Sequence, residues 1–138
     1  MDEISIVLAS DDNYAQHGAV ACASILANHR GMAPLHFYYF EDGISEEKQA
    51  GIAATVTKGR GTITFVPTAQ KEIQAHTSGH VNRAAYLRLL IPELVPENVN
   101  RVIYLDTDLV VLDDIQELWE MDLEGKPLGA VPDLGILA

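Results

Sequence analysis

The sequence predicts an α/β fold, in which a mainly parallel β-sheet is flanked by helices. Short runs rich in β-branched and aromatic residues alternate with longer segments of helical periodicity, in the order strand, helix, strand, helix, strand. The chain has 138 residues, of which 48% are hydrophobic and 21% charged, so residues 1–138 can bury one core as a single domain. In such sheets, ligands bind beyond the carboxyl ends of the strands.

The first two elements are expected to be a strand and a helix. Residues 4–9 (ISIVLA) are a short β-branched run that ends at a polar cluster, SDDN, which is typical of a buried strand opening into a loop. Apolar side chains, among them Val20 and Ile25, then recur at near-helical spacing. The helix that they predict should end between Asn28 and Gly31, where polar residues and glycine follow.

The next three elements continue the alternation. Residues 35–40 (LHFYYF) predict the second strand. Ser45 is expected to cap the second helix, because a serine side chain accepts a hydrogen bond from the first turn, and the two glutamates that follow complement the helix dipole. That helix should end near Lys58, and residues 62–66 (TITFV) predict the third strand.

The second half of the chain predicts one more helix and one more strand. Residues 70–79 fit no element clearly. Residues 83–90 (RAAYLRLL) have helical character and should end before Pro92, and residues 102–105 (VIYL) predict the fourth strand. No repeat or linker divides the chain.

Composition and charge narrow the possible partners. With a formal net charge of -11 and only 9 Lys and Arg, the chain lacks the basic surface that nucleic acids require, so we expect no nucleic-acid partner. Anions must be bound locally or through a cation. The single cysteine, Cys22, excludes an internal disulfide. The acidic amino terminus and the absence of a long apolar run predict a soluble, cytoplasmic chain without a transmembrane segment.

Asp106 and Asp108 are the strongest candidates for chemistry. They follow the fourth predicted strand at a spacing of two, and alternate side chains of an extended segment share a face. Both carboxylates can therefore point to one ion at the carboxyl end of the strand. Hard oxygen ligands suit Mg²⁺ or Mn²⁺, which keep open positions for the oxygens of a diphosphate. A solvated acidic turn is the alternative interpretation.

Residues 9–14 (ASDDNY) and Arg88 are the second and third candidates. The loop also follows a strand, so Asp11 can accept a hydrogen bond from the ring N–H of a base and Tyr14 can stack on the ring. The same residues also fit an Asx-type turn that leads into a helix. Arg88 can donate to phosphate or to the two aspartates, or it can be an exposed helix charge.

Four motifs in series resemble those of the retaining glycosyltransferases of family eight, which include bacterial lipopolysaccharide galactosyl- and glucosyltransferases and glycogenin. The motifs are IVLASDDNY (6–14), DGISEE (42–47), HVNRAAYLRL (80–89) and YLDTDL (104–109). The resemblance covers essentially the whole chain. It implies a Rossmann-like, GT-A type nucleotide-diphospho-sugar transferase fold.

The resemblance also implies substrates, a cofactor and site residues. It implies transfer of a hexose from UDP-galactose or UDP-glucose, with retention, to a saccharide acceptor that is lipid-linked in some members. Mn²⁺ or Mg²⁺ is the implied cofactor, with Asp106 and Asp108 as metal ligands. The matching UDP-sugar positions are Ala9, Asp11, Asn13, Tyr14, Val81, Arg88, Asp106, Thr107, Asp108 and Asp133. Among them Tyr14 is implied to stack on the uracil and Asp133, the candidate catalytic residue, to contact the transferred sugar.

The family pattern continues past Ala138. It supplies a histidine as third metal ligand and a diphosphate loop with glycine and lysine, so the resemblance implies a fold incomplete at its carboxyl end. By this comparison the chain is the amino-terminal part of a catalytic domain. Members that use lipid-linked acceptors dock on membranes through a later basic segment, so we expect the full-length protein to be cytoplasmic and membrane-peripheral.

Two other interpretations remain open at this point. Residues 106–110 (DTDLV) also fit the strand-then-Asp-x-Asp-x-Val pattern of haloacid-dehalogenase phosphatases, in which Asp106 would accept the phosphoryl group. That motif normally follows the first strand of the fold, whereas here it comes late. The other interpretation is a fragment that binds nucleotide without catalysing transfer.

Overall fold

The computed structural model describes residues 2–71 and 83–137. Its strands are β1 (Ile4–Asp11), β2 (Leu35–Asp42), β3 (Thr62–Pro67) and β4 (Ile103–Tyr104). They form one four-stranded sheet in the order β3-β2-β1-β4, and every neighbouring pair is parallel. This parallel sheet confirms the predicted α/β fold class.

Helices connect the strands. In the described part of the chain they are α1 (Ala15–Asn28), α2 (Glu46–Lys58), α3 (Arg83–Leu87), a 3₁₀ turn (Arg88–Leu90), α4 (Ile91–Leu94), α5 (Ile115–Trp119) and α6 (Leu134–Leu137). In these same residues, no helix has the length and apolar character needed to cross a membrane.

Both faces of the sheet are covered, which explains why β1 has apolar residues on both of its faces. Ile4, Ile6 and Leu8 face a core shared with α1 and α2. Val7 and Ala9 face a second, smaller core, which is closed by Leu87 and by the residues around α4. A strand that is buried on both sides has no polar face, so it reads as a continuous hydrophobic run.

The start of α2 confirms the predicted cap. Ser45 precedes the helix, and its Oγ accepts a hydrogen bond from the Lys48 N–H at 3.3 Å. Two acidic residues lie in the first turn and Lys58 in the last, where each complements the partial charge of the helix end. The helix ends at Lys58, as the sequence predicted.

The strands β1, β2 and β3 extend one or two residues past their predicted ends, and two later elements differ from their predicted bounds as well. The fourth strand is shorter than residues 102–105, because only Ile103 and Tyr104 pair with β1. Helical structure also continues past Pro92. Proline is tolerated there because it lies in the first turn of α4, where a backbone N–H has no partner within the helix.

His29 and Asp114 join the end of α1 to the start of α5. The Nδ1 of His29 lies 2.8 Å from the Asp114 Oδ1, and its Nε2 lies 2.8 Å from the Ala33 carbonyl oxygen. Asp114 also accepts hydrogen bonds from the backbone N–H groups of Arg30 and Gln116. Burial tends to raise the pKa of Asp114, but these hydrogen bonds outweigh burial and hold the pKa well below its usual range.

The lowered pKa of Asp114 makes stability depend on pH. A carboxyl group whose pKa is lower in the folded state contributes stability above its unfolded pKa, about 3.9, and that contribution is lost as the pH falls further. Asp114→Asn keeps a side-chain acceptor but removes the titrating group. We therefore expect its Tm to be lower than that of the wild type at neutral pH, and to fall less steeply between about pH 5 and about pH 3.

Asp113→Asn is the matched control for this measurement. Its carboxylate is 83% exposed and lies 3.9 Å from the Arg30 guanidinium, so its loss should leave the Tm profile unchanged. Equal slopes for the wild type and Asp114→Asn would contradict the role assigned to Asp114.

Candidate functional site

The candidate residues gather where the strand order reverses. The chain builds β1, β2 and β3 outward to one side, and then returns to add β4 on the other side of β1. Val7 and Tyr104 are register partners, so the loops that follow β1 and β4 leave the sheet next to each other. In parallel sheets such a reversal opens a crevice at the carboxyl ends of the strands, where ligands bind.

Asp106 and Asp108 lie directly after β4. Both are exposed, whereas Thr107 between them is buried. The two carboxylates are thus accessible to a ligand. No group of three or more His, Cys, Asp or Glu side chains within residues 2–71 and 83–137 is placed to hold a metal ion.

Arg88 and Tyr104 surround Asp106. The Arg88 Nη2 lies 3.8 Å from the Asp106 Oδ1, and its guanidinium carbon lies 5.1 Å from the centroid of the Tyr104 ring. The Tyr104 hydroxyl donates to the same Oδ1 at 3.3 Å. Burial is the largest cause that raises the pKa of Tyr104, Arg88 lowers it, and Asp106 and Asp108 raise it, so that the pKa is about 12. The phenol therefore remains a donor at neutral pH.

The loop after β1 is fixed by its own backbone and by α2. The Asp11 Oδ1 accepts from the Tyr14 N–H at 3.1 Å, which is the Asx-type turn that the sequence allowed. Asp12 accepts from the Ser45 N–H at 3.0 Å and from the Lys48 Nζ at 2.6 Å. The contacts to α2 are thus made by Asp12, and the turn uses only the Oδ1 of Asp11.

The aromatic face of this loop is accessible. Tyr14 is 41% exposed, and its ring centroid lies 5.1 Å from that of His17 in a tilted arrangement. Asn13 is exposed beside it, while Ala9 is buried at the end of β1. The loop thus offers a ring face, an amide and a carboxylate on one side of the crevice.

Side chains of α1 fasten the loop that carries Asp106 and Asp108. The Val111 N–H donates to the Ser24 Oγ at 2.9 Å, and the Asn28 Nδ2 donates to the Val111 carbonyl oxygen at 2.8 Å. Between this loop and α1 lies an open cavity of about 430 Å³, and its lining includes His17 and Asp108. Asp108 therefore lines a cavity, and the segment that follows it is held against α1.

Arg83 fastens the helix that leads to Arg88. Its Nε donates to the Asp42 Oδ1 at 3.1 Å, and its Nη2 donates to the carbonyl oxygens of Thr68 and Lys71. Leu87, one residue before Arg88, is fully buried in the second core. These contacts fix the position of α3 relative to the ends of β2 and β3, and so the place from which Arg88 reaches Asp106.

Among the candidates that the structure describes, Asp133 is not brought into this cluster. Asp133 is exposed just before α6, and its Oδ1 accepts a hydrogen bond from the Gly135 N–H at 2.8 Å, which is a local contact. Val81 lies outside the described residues.

The sequence did not single out Tyr104 or Arg83. Tyr104 could have been found, because it lies two positions before Asp106 in an extended segment and so shares its face. Arg83 had no such signal, since its partners Asp42, Thr68 and Lys71 are distant in sequence from it and become neighbours only in the folded sheet.

Comparison with known proteins links this arrangement to a family. The model of the family described as glycosyl transferase family 8 matches residues 5–136. General stress protein A of Bacillus subtilis is 35% identical over 137 residues, which cover 97% of this chain and 48% of that protein. Glycosyltransferase GlyF of Streptococcus pneumoniae is 31% identical over 131 residues, which cover 94% of this chain and 32% of that protein.

A solved structure shares the fold. The galactosyltransferase LgtC, crystallised with donor and acceptor sugar analogues, matches with a TM-score of 0.71 and 34% identity over 87% of this chain and 43% of LgtC. The Rossmann-like, GT-A type fold that the resemblance implied is thereby confirmed. The chain spans about half the length of these proteins, or less.

Proposed function

Since the chain belongs to glycosyl transferase family 8, we propose that it carries the nucleotide-sugar-binding part of a glycosyltransferase that uses a UDP-hexose donor. The observation that carries this proposal is the apposition of Asp106 and Arg88, 3.8 Å apart, beside the 9–14 loop at the reversal of strand order. A carboxylate that can hold a metal ion and a guanidinium that can hold phosphate face the same crevice.

The 9–14 loop is proposed to hold the uridine. Tyr14 offers a ring face for stacking on uracil, and Asp11 can accept from the ring N–H. Asn13 is exposed and would hydrogen-bond a polar group of the nucleoside, and the small side chain of Ala9 would allow the base to approach the end of β1. Val81 beside the base and the Thr107 backbone at the ribose remain predictions from the family resemblance.

The proposed cofactor is Mn²⁺ or Mg²⁺, held by Asp106 and Asp108. The donor set fits such an ion, because Mg²⁺-type sites use one or two carboxylates and take their other ligands from water and substrate phosphates. A bound cation would offset the charge that develops on the leaving diphosphate. Arg88 would donate hydrogen bonds to the phosphates and add positive charge to an acidic site.

The proposed reaction moves a galactosyl or glucosyl group. The anomeric carbon leaves the β-phosphate oxygen of UDP and bonds to a hydroxyl oxygen of a saccharide acceptor, whose proton is released. Retention of configuration, a lipid-linked acceptor in lipopolysaccharide synthesis, and a sugar contact by Asp133 as the catalytic residue are proposed from the family resemblance alone. So are the assignment of residues 1–138 to the amino-terminal part of a catalytic domain and a cytoplasmic, membrane-peripheral location.

Calorimetric titration of UDP tests this proposal. With Mn²⁺ present we expect this chain to bind UDP, and with the metal removed by a chelator we expect the affinity to fall by about tenfold or more, since two carboxylates then face the diphosphate without a cation. ADP is the control, because it keeps the diphosphate and changes the base. Absence of UDP binding with Mn²⁺ in a longer chain that contains residues 1–138, or UDP binding that the chelator leaves unchanged, would contradict the proposal.

The position of Asp106 in the fold and the family match both argue against the phosphatase interpretation. Asp106 follows the fourth strand along the chain, at the edge of the sheet, and the glycosyltransferase family model covers this segment. A chain that binds the donor without transferring sugar is distinguished by assaying donor hydrolysis in this chain beside a longer chain that contains it.

A further inference from the structure

Tyr104 occupies the position between the two charged groups of the site. Its hydroxyl donates to the Asp106 Oδ1 at 3.3 Å, and the Arg88 guanidinium lies over its ring at 5.1 Å. We propose that Tyr104 is a positioning residue, whose hydroxyl orients Asp106 for a divalent cation and whose ring holds Arg88 for the diphosphate. This inference rests on the proposed function of the site.

The fold gives Tyr104 a fixed position from which to act. It pairs with Val7 in the sheet, and its side chain packs against the second core. A packed ring has few conformations, so contacts to it do not require the ring itself to be ordered. Asp106 and Arg88, by contrast, have side chains that are 58% and 46% exposed.

Direct attraction between Arg88 and Asp106 is too weak to hold this arrangement. Their closest atoms are 3.8 Å apart and both side chains face solvent, where such ion pairs contribute little. A divalent cation would also compete with Arg88 for the same carboxylate. The ring of Tyr104 gives Arg88 a partner that does not depend on Asp106. The two contacts of Tyr104 thus keep the metal ligand and the phosphate ligand apart and in place.

Two substitutions separate the two contacts. Tyr104→Phe removes the hydroxyl and keeps the ring, so we expect the Kd for Mn²⁺ alone, measured by electron paramagnetic resonance, to rise about fivefold. Its affinity for UDP at saturating Mn²⁺ should stay within about twofold of the wild type, because the phenylalanine ring keeps the cation–π contact with Arg88. Tyr104→Leu removes both contacts, and its UDP affinity at saturating Mn²⁺ should fall about tenfold.

Tyr38→Phe is the matched control. Tyr38 packs in the same core and pairs with Val7 from β2, on the side of β1 opposite to Tyr104. Its substitution therefore shows the effect of removing a tyrosine hydroxyl that does not contact Asp106. Its Mn²⁺ and UDP affinities should equal those of the wild type. Thermal unfolding of each variant identifies loss of the fold, and Tyr104→Phe decides the inference if Tyr104→Leu does not fold.

The outcomes distinguish this inference from the proposed function. If the wild type binds UDP with Mn²⁺, Asp106→Asn does not, and Tyr104→Phe binds Mn²⁺ as the wild type does, the positioning role is overturned and the proposed function stands. If the wild type fails to bind UDP with Mn²⁺, both fall. A weaker Mn²⁺ affinity in Tyr104→Phe with unchanged Tm supports the inference, because a purely structural role would lower the Tm as well.

Discussion

Asp106→Asn is expected to abolish Mn²⁺-dependent binding of UDP. Asparagine keeps the size of the side chain but has an amide nitrogen in place of one carboxylate oxygen, so the side chain is neutral. Hard divalent cations prefer charged oxygen ligands. Asp106 is one of two candidate metal ligands, and its loss also removes one contact of Tyr104 and one of Arg88. We expect the Kd for UDP in the presence of Mn²⁺ to rise by about tenfold or more, as when the chelator removes the metal, as measured by calorimetry.

Asp113→Asn is the control for the loss of one negative charge. Asp113 lies on the same loop, is exposed, and is followed by the anchored residue Asp114. It should bind UDP and Mn²⁺ like the wild type. Asp108→Asn should behave like Asp106→Asn. If both aspartate variants retained Mn²⁺-dependent binding, the metal site would have to be placed elsewhere.

Gly18→Ala is expected to destabilise the protein, although glycine to alanine inside a helix normally stabilises by about 0.5–1 kcal/mol. A Cβ at position 18 would lie 1.9 Å from the Tyr39 hydroxyl oxygen and 2.8 Å from the carbon that bears it. That hydroxyl is buried and 2.6 Å from the Ser10 Oγ, which precedes Asp11 in the binding loop. We expect the free energy of unfolding to fall by about 1–3 kcal/mol, the usual cost of overpacking, as measured with urea.

Gly51→Ala provides a matched comparison within α2. Gly51 is exposed, and nothing lies within 4 Å of the position that a Cβ would take there, so alanine should stabilise by about 0.5–1 kcal/mol. Gly18→Ala should also cost less when added to Tyr39→Phe than when added to the wild type, since the closest clashing atom is then missing. Stabilisation by Gly18→Ala similar to that by Gly51→Ala would show that α1 does not need glycine for contact with Tyr39.

Local signals in the sequence predicted most of the sheet. The runs that became β1, β2 and β3 are apolar or β-branched and are closed by polar residues or proline, so each can be recognised without knowing its neighbours. The cap at Ser45 is equally local, because donor and acceptor are three residues apart. The fourth strand was harder to bound, since its length depends on how far it pairs with β1.

The sequence identified residues of the candidate site, but it did not predict the contacts that hold them in place. Asp106, Arg88 and the 9–14 loop were identified from spacing and resemblance, and the structure places Arg88 beside Asp106. The contacts that brace them join segments far apart in the chain, such as Asp12 with Lys48 and Val111 with Ser24. No periodicity in a single sequence specifies such pairs, because many polar residues could exchange partners at equal cost.

Because β4 pairs over only two residues, we expect the site to be the last part of the sheet to assemble. Single helices connect neighbouring strands in the rest of the sheet: α1 joins β1 to β2, and α2 joins β2 to β3. The pairing of Val7 with Tyr104, by contrast, must close all the chain between these two residues into a loop. Only two residues of β4 are paired, so this edge opens more readily than the centre of the sheet. A ligand that contacts both the 9–14 loop and Asp106 would therefore stabilise the pairing of β4 with β1, and so the edge of the sheet that we expect to form last.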